Sequence, residues 1–365
     1  MKKITTNKKT LLSAVVIANK YSSADGDFAR SITLKGIDLM MSISSTDMVQ
    51  SIVCKNIPFT TNDISDFEFK ELSLDGKKLL TALKVVKGND VTIEIKKGHI
   101  LIKSDKNTAK IETFSNAQPI KVSNEGESIK LGSGISNMQK LIHSIDSNNP
   151  KFELNGLLFE VKEGTMNMVS TDTRRLAVVS ESTKIKENIS LILPKQAIQT
   201  MSEIFTGVET EIVANKTNIS ICSDFVDYSS KLISGKFPDY KRILPASFSQ
   251  NVVLDIFALK EVSKEASIFE SDIIISIKDQ MISATDTSGN TEVFTEINKN
   301  IGADINIRFA VNANYILDVV SVCGEKEIEL CFNDSNIPFI LKGGNFKEVI
   351  MPIVLSDDEN SEIAA

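Results

Sequence analysis

A short tripeptide, Ser/Ala-Thr-Asp, occurs three times in this chain at roughly one-domain intervals: Ser45-Thr46-Asp47, Ser170-Thr171-Asp172 and Ala284-Thr285-Asp286. Each copy closes an apolar run that reads as a strand: GIDLMMSISSTD, GTMNMVSTD and DIIISIKDQMISATD. The spacings of 125 and 114 residues are too long for a solenoid repeat and suit a repeated domain.

A second marker recurs with it, a helix followed by a strand. DGKKLLTALKVVKG precedes NDVTIEIKKG, PKQAIQTMSEIFTG precedes VETEIVANK, and NANYILDVVSVCG precedes EKEIELCFND. Asp75, Pro194 and Asn312 or Asn314 are helix starters: a carboxylate or amide accepts from an orphan N–H, and proline suits a first turn. Gly88, Gly207 and Gly324 stand at the expected C′ positions, where φ must turn positive. The following segments alternate apolar and polar, as in Val91-Thr92-Ile93-Glu94-Ile95, the period of a half-buried strand. An earlier helix, in TLLSAVVIANKYS, ISNMQKLIHSIDS and LKEVSKEASIFES, completes each repeat. The reading is three homologous α+β domains near 1–124, 125–248 and 249–355.

The 365 residues leave room for several domains with real cores, and 42% hydrophobic with 24% charged content is ordinary for a globular protein. No apolar run approaches the ~20 residues that span a bilayer. After the basic MKKITTNKKT, the short run LLSAVVIA has helical periodicity and no convincing cleavage site, so it reads as a first helix, with a signal peptide as the alternative. Cys54, Cys222, Cys323 and Cys331 form no CxxC and read as reduced thiols of a cytoplasmic protein.

Catalytic chemistry is hard to find. The two histidines, His99 and His143, read as surface or packing residues. No zinc ligand set, phosphate loop or nucleophile elbow occurs, and Gly132-Ser133-Gly134 is a lone GxG in a loop. A repeated domain without such groups points to a scaffold needing no cofactor. Lysines gather on helices in spite of the net charge of −7. Lys77, Lys78 and Lys84 share one side of a helix, opposite Leu79, Leu80, Leu83 and Val86. Lys8, Lys9 and Lys20 flank the first helix, and Lys260 and Lys264 lie on the corresponding third-repeat helix. A solvated face is the ordinary explanation. The alternative is a set of basic faces directed at a phosphate backbone.

The second repeat carries residues that the others lack. Thr171-Asp172 continues as Thr173-Arg174-Arg175-Leu176-Ala177, and the repeat ends in Gly235-Lys236-Phe237-Pro238-Asp239-Tyr240-Lys241-Arg242-Ile243-Leu244-Pro245. Two prolines with an aromatic pair suit a rigid linker. TDxxRLA, GxFPDYxxxLP, LNGLLFE (154–160) and the final Met351-Pro352-Ile353-Val354-Leu355 together resemble the bacterial DNA polymerase III beta subunits, the sliding clamps. The resemblance runs over essentially the whole chain to Leu355 and is strongest in the middle repeat.

That resemblance implies an α+β chain of three clamp domains, each with two helices on antiparallel sheets, closing a head-to-tail homodimeric ring around duplex DNA. It implies a pocket for short peptides from the polymerase III catalytic subunit, the clamp loader, other polymerases and repair proteins. Carried over residue by residue, the pocket comprises Leu154, Thr171, Arg175, Leu176, Pro238, Arg242, Ile243, Met351, Pro352 and Ile353, with Arg175 and Arg242 framing a polar rim. It also implies apolar contact at the subunit boundary between Ile268-Phe269 and a first domain near Leu79 and Ile111. Thr173 stands where relatives commonly have glycine, and Val354 where a basic residue is common. The chain continues past Leu355 as SDDENSEIAA, whose composition is that of a disordered acidic tail. An enzyme built of duplicated domains, or an exported adhesin, are the competing classes. The first needs a catalytic constellation, the second disulfides.

Overall fold

The computed structural model describes residues 2–22, 31–61, 68–104, 107–114, 122, 126–130, 134–207, 211–297 and 305–355. The 356–365 tail and Gly132-Ser133 lie outside the described residues. Six helices occur among them: α1 (Lys8–Lys20), α2 (Gly76–Val85), α3 (Gly134–Gln139), α4 (Lys195–Phe205), α5 (Ile256–Ala266) and α6 (Ala313–Val322). They pack in sequential pairs, α1 with α2, α3 with α4 and α5 with α6. In α1 the apolar stripe Leu11, Ala14, Val15 and Ala18 is buried, as a 3.6-residue period requires.

Asp75 and Asn312 are N-caps, accepting from the N–H of Lys78 (2.9 Å) and of Asn314 (3.1 Å). Three sequence expectations shift. Pro194 is the residue before the first helical one, not inside the first turn. Gly207 and Gly324 follow their C-caps with φ of 78° and 75°, but α2 ends earlier, at Val85, and leaves Gly88 one position beyond C′. The helix expected in ISNMQKLIHSIDS breaks after Gln139, and residues Ile142–Ser144 form a single 3₁₀ turn.

The chain gathers into two compact units, one of Met1–Gly132 with Val208–Leu232, the other of Ser133–Gly207 with Ile233–Ala365. Strand pairing explains the division. In the first unit a twelve-stranded sheet carries Val226–Lys231 antiparallel to Gln50–Thr61, with Val226 opposite Cys54 and Ser230 opposite Gln50. In the second unit Arg175–Ser182 runs antiparallel to Phe346–Ile350, with Leu176 opposite Val349, inside an eight-stranded sheet. A separate four-stranded sheet holds Glu292–Glu296, Met281–Asp286, Asp272–Lys278 and Asn306–Asn312 in that order. Sheets therefore continue from one sequence repeat into the next.

A third repeated marker was hidden from sequence inspection. The two-residue hairpin turns Asp38-Leu39, Glu163-Gly164 and Asp279-Gln280 all have positive φ at both residues, between 51° and 74°. That is the mirror-image turn whose twist matches flanking strands. Only one of the six residues is the glycine that would advertise it.

Candidate functional site

The Thr-Asp tripeptide is a turn-building device. Thr171 Oγ1 accepts from the N–H of Thr173 (3.0 Å) and donates to the carbonyl of Arg175 (2.6 Å), while Asp172 Oδ1 accepts from the N–H groups of Arg174 and Arg175, both at 2.9 Å. The first repeat has the same bonds: Thr46 Oγ1 accepts from Met48 N (3.1 Å) and donates to Gln50 O (2.7 Å), and Asp47 accepts from Val49 and Gln50. In these two copies hydroxyl and carboxylate together hold the N–H groups of a tight turn, whereas in the third Asp286 accepts from Asn290 N and Thr291 Oγ1. Met48 and Thr173 occupy its positive-φ corner, at 75° and 77°. A β-branched residue is strained there, so Thr173 holds a position whose backbone favours glycine.

Beyond the turn the repeats differ. In the first, Tyr228 Oη donates to Gln50 Oε1 at 2.8 Å. In the second, Arg175 stands in that place. Its Nε donates to Asp172 Oδ2 (2.9 Å), Nη1 to Asp318 Oδ2 (2.7 Å) and Nη2 to the carbonyl of His143 (2.8 Å). The guanidinium also lies 4.5 Å from the Tyr315 ring centroid. Burial works against its charge, but the bond to Asp318 and the charges of Glu348, Asp172 and Asp318 hold its pKa above the usual range. Arg175 is thus a buried, fully engaged hub, and the expectation that it frames an exposed rim is corrected.

Glu348, on strand Phe346–Ile350, is completely buried beside it. Its Oε2 lies 2.7 Å from His143 Nε2 and its Oε1 3.8 Å from Arg175 Nη1. Burial raises its pKa, opposed by the bond and charge of His143 and the charge of Arg175. Sequence inspection missed Glu348 and left His143 as a surface or packing residue. The one available signal, an acid in the otherwise apolar FKEVIM run, needs the strand pairing to interpret it.

The other pocket candidates divide by burial. Leu154 and Leu176 belong to a buried apolar cluster with Val349, Phe237 and Tyr240, against which Ile233, Leu244 and Phe248 pack. The aromatic pair of the FPDY segment pins that stretch to the sheet, and Tyr240 donates to Glu160 at 3.3 Å. Pro238, Arg242 and Ile243 are exposed, and Arg242 pairs only with Asp239 (2.9 Å) among the described residues. Met351 is exposed while Pro352 and Ile353 are half-buried. Two backbone bonds fix the 351–355 segment, Met351 N to Arg174 O (3.0 Å) and Ile353 N to Ala310 O (2.8 Å). Leu154, Thr171 and Leu176 are thus buried, whereas Pro238, Ile243 and Met351 are exposed.

In the first unit, α2 and the strand Thr108–Phe114 border a groove of about 760 Å³ lined by Lys77, Lys78, Thr81, Val85 and Ala109 among others. Leu79 and Ile111, expected at an exposed boundary, are buried at 0% and 2% exposure. Leu79 faces the core; the exposed apolar group of α2 is Val85, at 61%. Ile268 and Phe269 are exposed at 67% and 71%. Lys9, Lys20, Lys77, Lys78, Lys84, Lys260 and Lys264 are exposed, while Lys8 donates to the carbonyl of Val86. Among the described residues no cluster of His, Cys, Asp or Glu could hold a metal ion.

Two family profiles match in succession: "DNA polymerase III beta subunit, central domain" over residues 134–239 and "DNA polymerase III beta subunit, C-terminal domain" over 241–354. A beta sliding clamp of Pseudomonas putida is 28% identical, over 78% of this chain and 82% of its own. One of Helicobacter pylori is 27% identical, over 74% and 76%. The crystal structure of the Helicobacter pylori beta clamp bound to DNA ligase peptide superposes with a TM-score of 0.87 at 23% identity, covering 96% of this chain and all of that one. That of the DNA polymerase III subunit beta from Pseudomonas aeruginosa gives 0.86 at 22%, covering 97% and all of that chain. The fold is that of the beta clamps, mixed helices on antiparallel sheets, and the chain belongs to the DNA polymerase III beta subunit family.

Proposed function

We propose that this chain is the processivity clamp of a replicative DNA polymerase: a non-catalytic ring that encircles duplex DNA and tethers the polymerase through a peptide pocket. Family membership carries the general function. What supports the pocket is that Leu154, Leu176, Phe237, Tyr240 and Val349 share one buried cluster, and that Met351 N donates to the carbonyl of Arg174 beside the Arg175 hub. Leu154, Leu176, Pro238, Ile243 and Met351 receive apolar peptide side chains, Thr171 and Arg175 shape the turn beside them, and Arg242 supplies the exposed charge. Pro352 and Ile353 anchor the last segment. The Helicobacter pylori relative is bound to a DNA ligase peptide, which supports a peptide ligand here. The clamp loader, the polymerase III catalytic subunit, other polymerases and repair proteins are the proposed partners, in the cytoplasm.

Three domains, near 1–124, 125–248 and 249–355, and head-to-tail closure of a dimer follow from the same reading. Three helix pairs and three mirror-image turns support the repeat. Ring closure buries otherwise open sheet edges. Ile268 and Phe269 face the α2 groove of the partner subunit, where Val85, Ala82 and Ala109 replace Leu79 as the receiving surface and Ile111 lies at its base. Lys8, Lys9, Lys20, Lys84, Lys260 and Lys264 meet phosphates without reading bases; Lys77 and Lys78 line the groove as well. Titration of a polymerase-derived apolar peptide tests the pocket. Met351→Ala should weaken binding by about 1–3 kcal/mol, and unchanged affinity would place the site elsewhere.

A further inference from the structure

We propose that Glu270 is a positioning residue for subunit association: its carboxylate holds the loop that presents Ile268 and Phe269. The role rests on the boundary at those two residues proposed above. They stand on the connection 267–271, between α5 and the strand Asp272–Lys278, and are exposed at 67% and 71%. Two adjacent apolar side chains in water gain by folding back onto the body. A loop free to do so must be ordered anew whenever two subunits meet, which weakens association. Glu270, the next residue, is half-buried instead. Its Oε2 accepts from Thr287 Oγ1 at 2.8 Å and its Oε1 from Ser288 Oγ. Bonds to an ionised acceptor are the stronger kind.

The two hydroxyls come from the third Thr-Asp turn. In the first two repeats the threonine hydroxyl of the pair closes its own turn. In the third, hydroxyls just after the pair reach back to the loop before the strand. Asp286 is completely buried and accepts from Asn290 N at 2.7 Å. Thr291 Oγ1 stands 2.9 Å from both Asp286 Oδ2 and the carbonyl of Ala266, the last residue of α5. At the other end of the connection Ala313 N donates to the carbonyl of Ser271 at 2.7 Å, and Thr287 N to that of Asp272 at 3.2 Å. The backbone is thus fixed at Ala266 and at Ser271-Asp272, and Glu270 holds what lies between. Only two soft dihedrals per residue separate its Cα from those of Phe269 and Ile268, so a carboxylate held at 270 restricts both apolar neighbours.

The test uses the full-length chain and two readouts. The chain contains no tryptophan, so Phe269→Trp places a single indole on the loop. Its anisotropy decay is recorded in a Val85→Asp background, which spoils the partner's groove without touching the loop. There Glu270→Ala should raise the fast, nanosecond local component about threefold. With the native Phe269 and Val85, Glu270→Ala should speed subunit exchange between two labelled populations about tenfold, through faster dissociation. Glu270→Gln, whose carboxamide still meets both hydroxyls, should stay within about twofold of wild type in both readouts. Thr287→Val with Ser288→Ala should reproduce Glu270→Ala, and all three changes together should add little, as expected of one coupled contact. An indole no more mobile after Glu270→Ala overturns the role, wherever the boundary lies. So does Glu270→Gln behaving like Glu270→Ala. A loosened loop with unchanged exchange, where Ile268→Asp does speed exchange, also overturns it, since association then ignores the order of the loop. Exchange indifferent to Ile268→Asp as well removes the boundary itself, and the role with it.

Discussion

Arg175 Nη1 lies 2.7 Å from Asp318 Oδ2, and this bond ties the strand after the second Thr-Asp turn to helix α6, 143 residues further along the chain. The same guanidinium holds Asp172 and stands beside the buried Glu348. The turn, the helix and the C-terminal strand therefore share one cation. Arg175→Met should destabilise the protein by about 3 kcal/mol, because it strands acids that the guanidinium neutralises. Asp318→Asn keeps an acceptor at a partly exposed position and should cost only about 1 kcal/mol. Urea denaturation of the two variants checks this; equal, small losses would remove Arg175 from its role as hub.

Glu348 supplies a pH dependence with a definite sign. Burial raises its pKa in the folded chain, so folding binds its proton more tightly. Its contribution is complete below the unfolded value of about 4.3 and is lost as pH rises through the folded value. Glu348→Gln is neutral at every pH. Its stability relative to wild type should increase as pH rises from 4 to 8 in paired denaturation curves. A difference moving the other way would mean that His143 and Arg175 hold Glu348 ionised.

Thr173 is exposed at a φ of +77°, with its backbone N–H serving the turn. Left-handed backbone costs a β-branched residue about 1–2 kcal/mol, and glycine gives back part of that in unfolded-state entropy. Thr173→Gly should therefore raise stability by about 0.5–1 kcal/mol in the same assay. Destabilisation would show that the threonine side chain contributes contacts of its own.

The thiols should separate by burial. Cys222 is exposed, whereas Cys54, Cys323 and Cys331 are buried. Burial pushes the Cys54 thiol up to about 12 and raises the other two as well. Since the thiolate is the reactive form, a chromogenic disulfide reagent should titrate one thiol promptly in the native protein and three more on unfolding. Prompt reaction of two or more would contradict the packing around them.

Much of this was legible in local chemistry. The strands closed by Thr-Asp, the caps at Asp75 and Asn312 and the stripe of α1 depend on residues within one or two turns of each other. What depends on distant pairing was not. Nothing near Arg175 announces Asp318 or Glu348: the pairing of Leu176 with Val349 brings in Glu348, and the placement of α6 brings in Asp318. Periodicity made Leu79 apolar and helical without telling a core position from a boundary one; burial makes Leu79 a core residue and leaves Val85 exposed. The turns at Asp38-Leu39 and Asp279-Gln280 escaped notice because strand twist, not residue type, imposes their positive φ.

The boundary proposal rests on Ile268 and Phe269, two adjacent apolar side chains left in water. Ile268→Asp or Phe269→Asp should convert a dimer to a monomer at micromolar concentration, as read by light scattering. Both lie on the surface, so folding should persist. A dimer unaffected by either change would move the interface elsewhere.

Encirclement is the central claim, and topology tests it more directly than affinity does. Simple electrostatic binding should weaken by about 0.9 log unit per phosphate contact for each tenfold rise in salt. The measurement is retention of the loaded protein on nicked circular duplex and on linear duplex of the same sequence as salt is raised. A ring that encircles DNA should persist on the circle at salt that abolishes simple binding, and should run off the linear ends. Equal loss from both forms would contradict a sliding clamp.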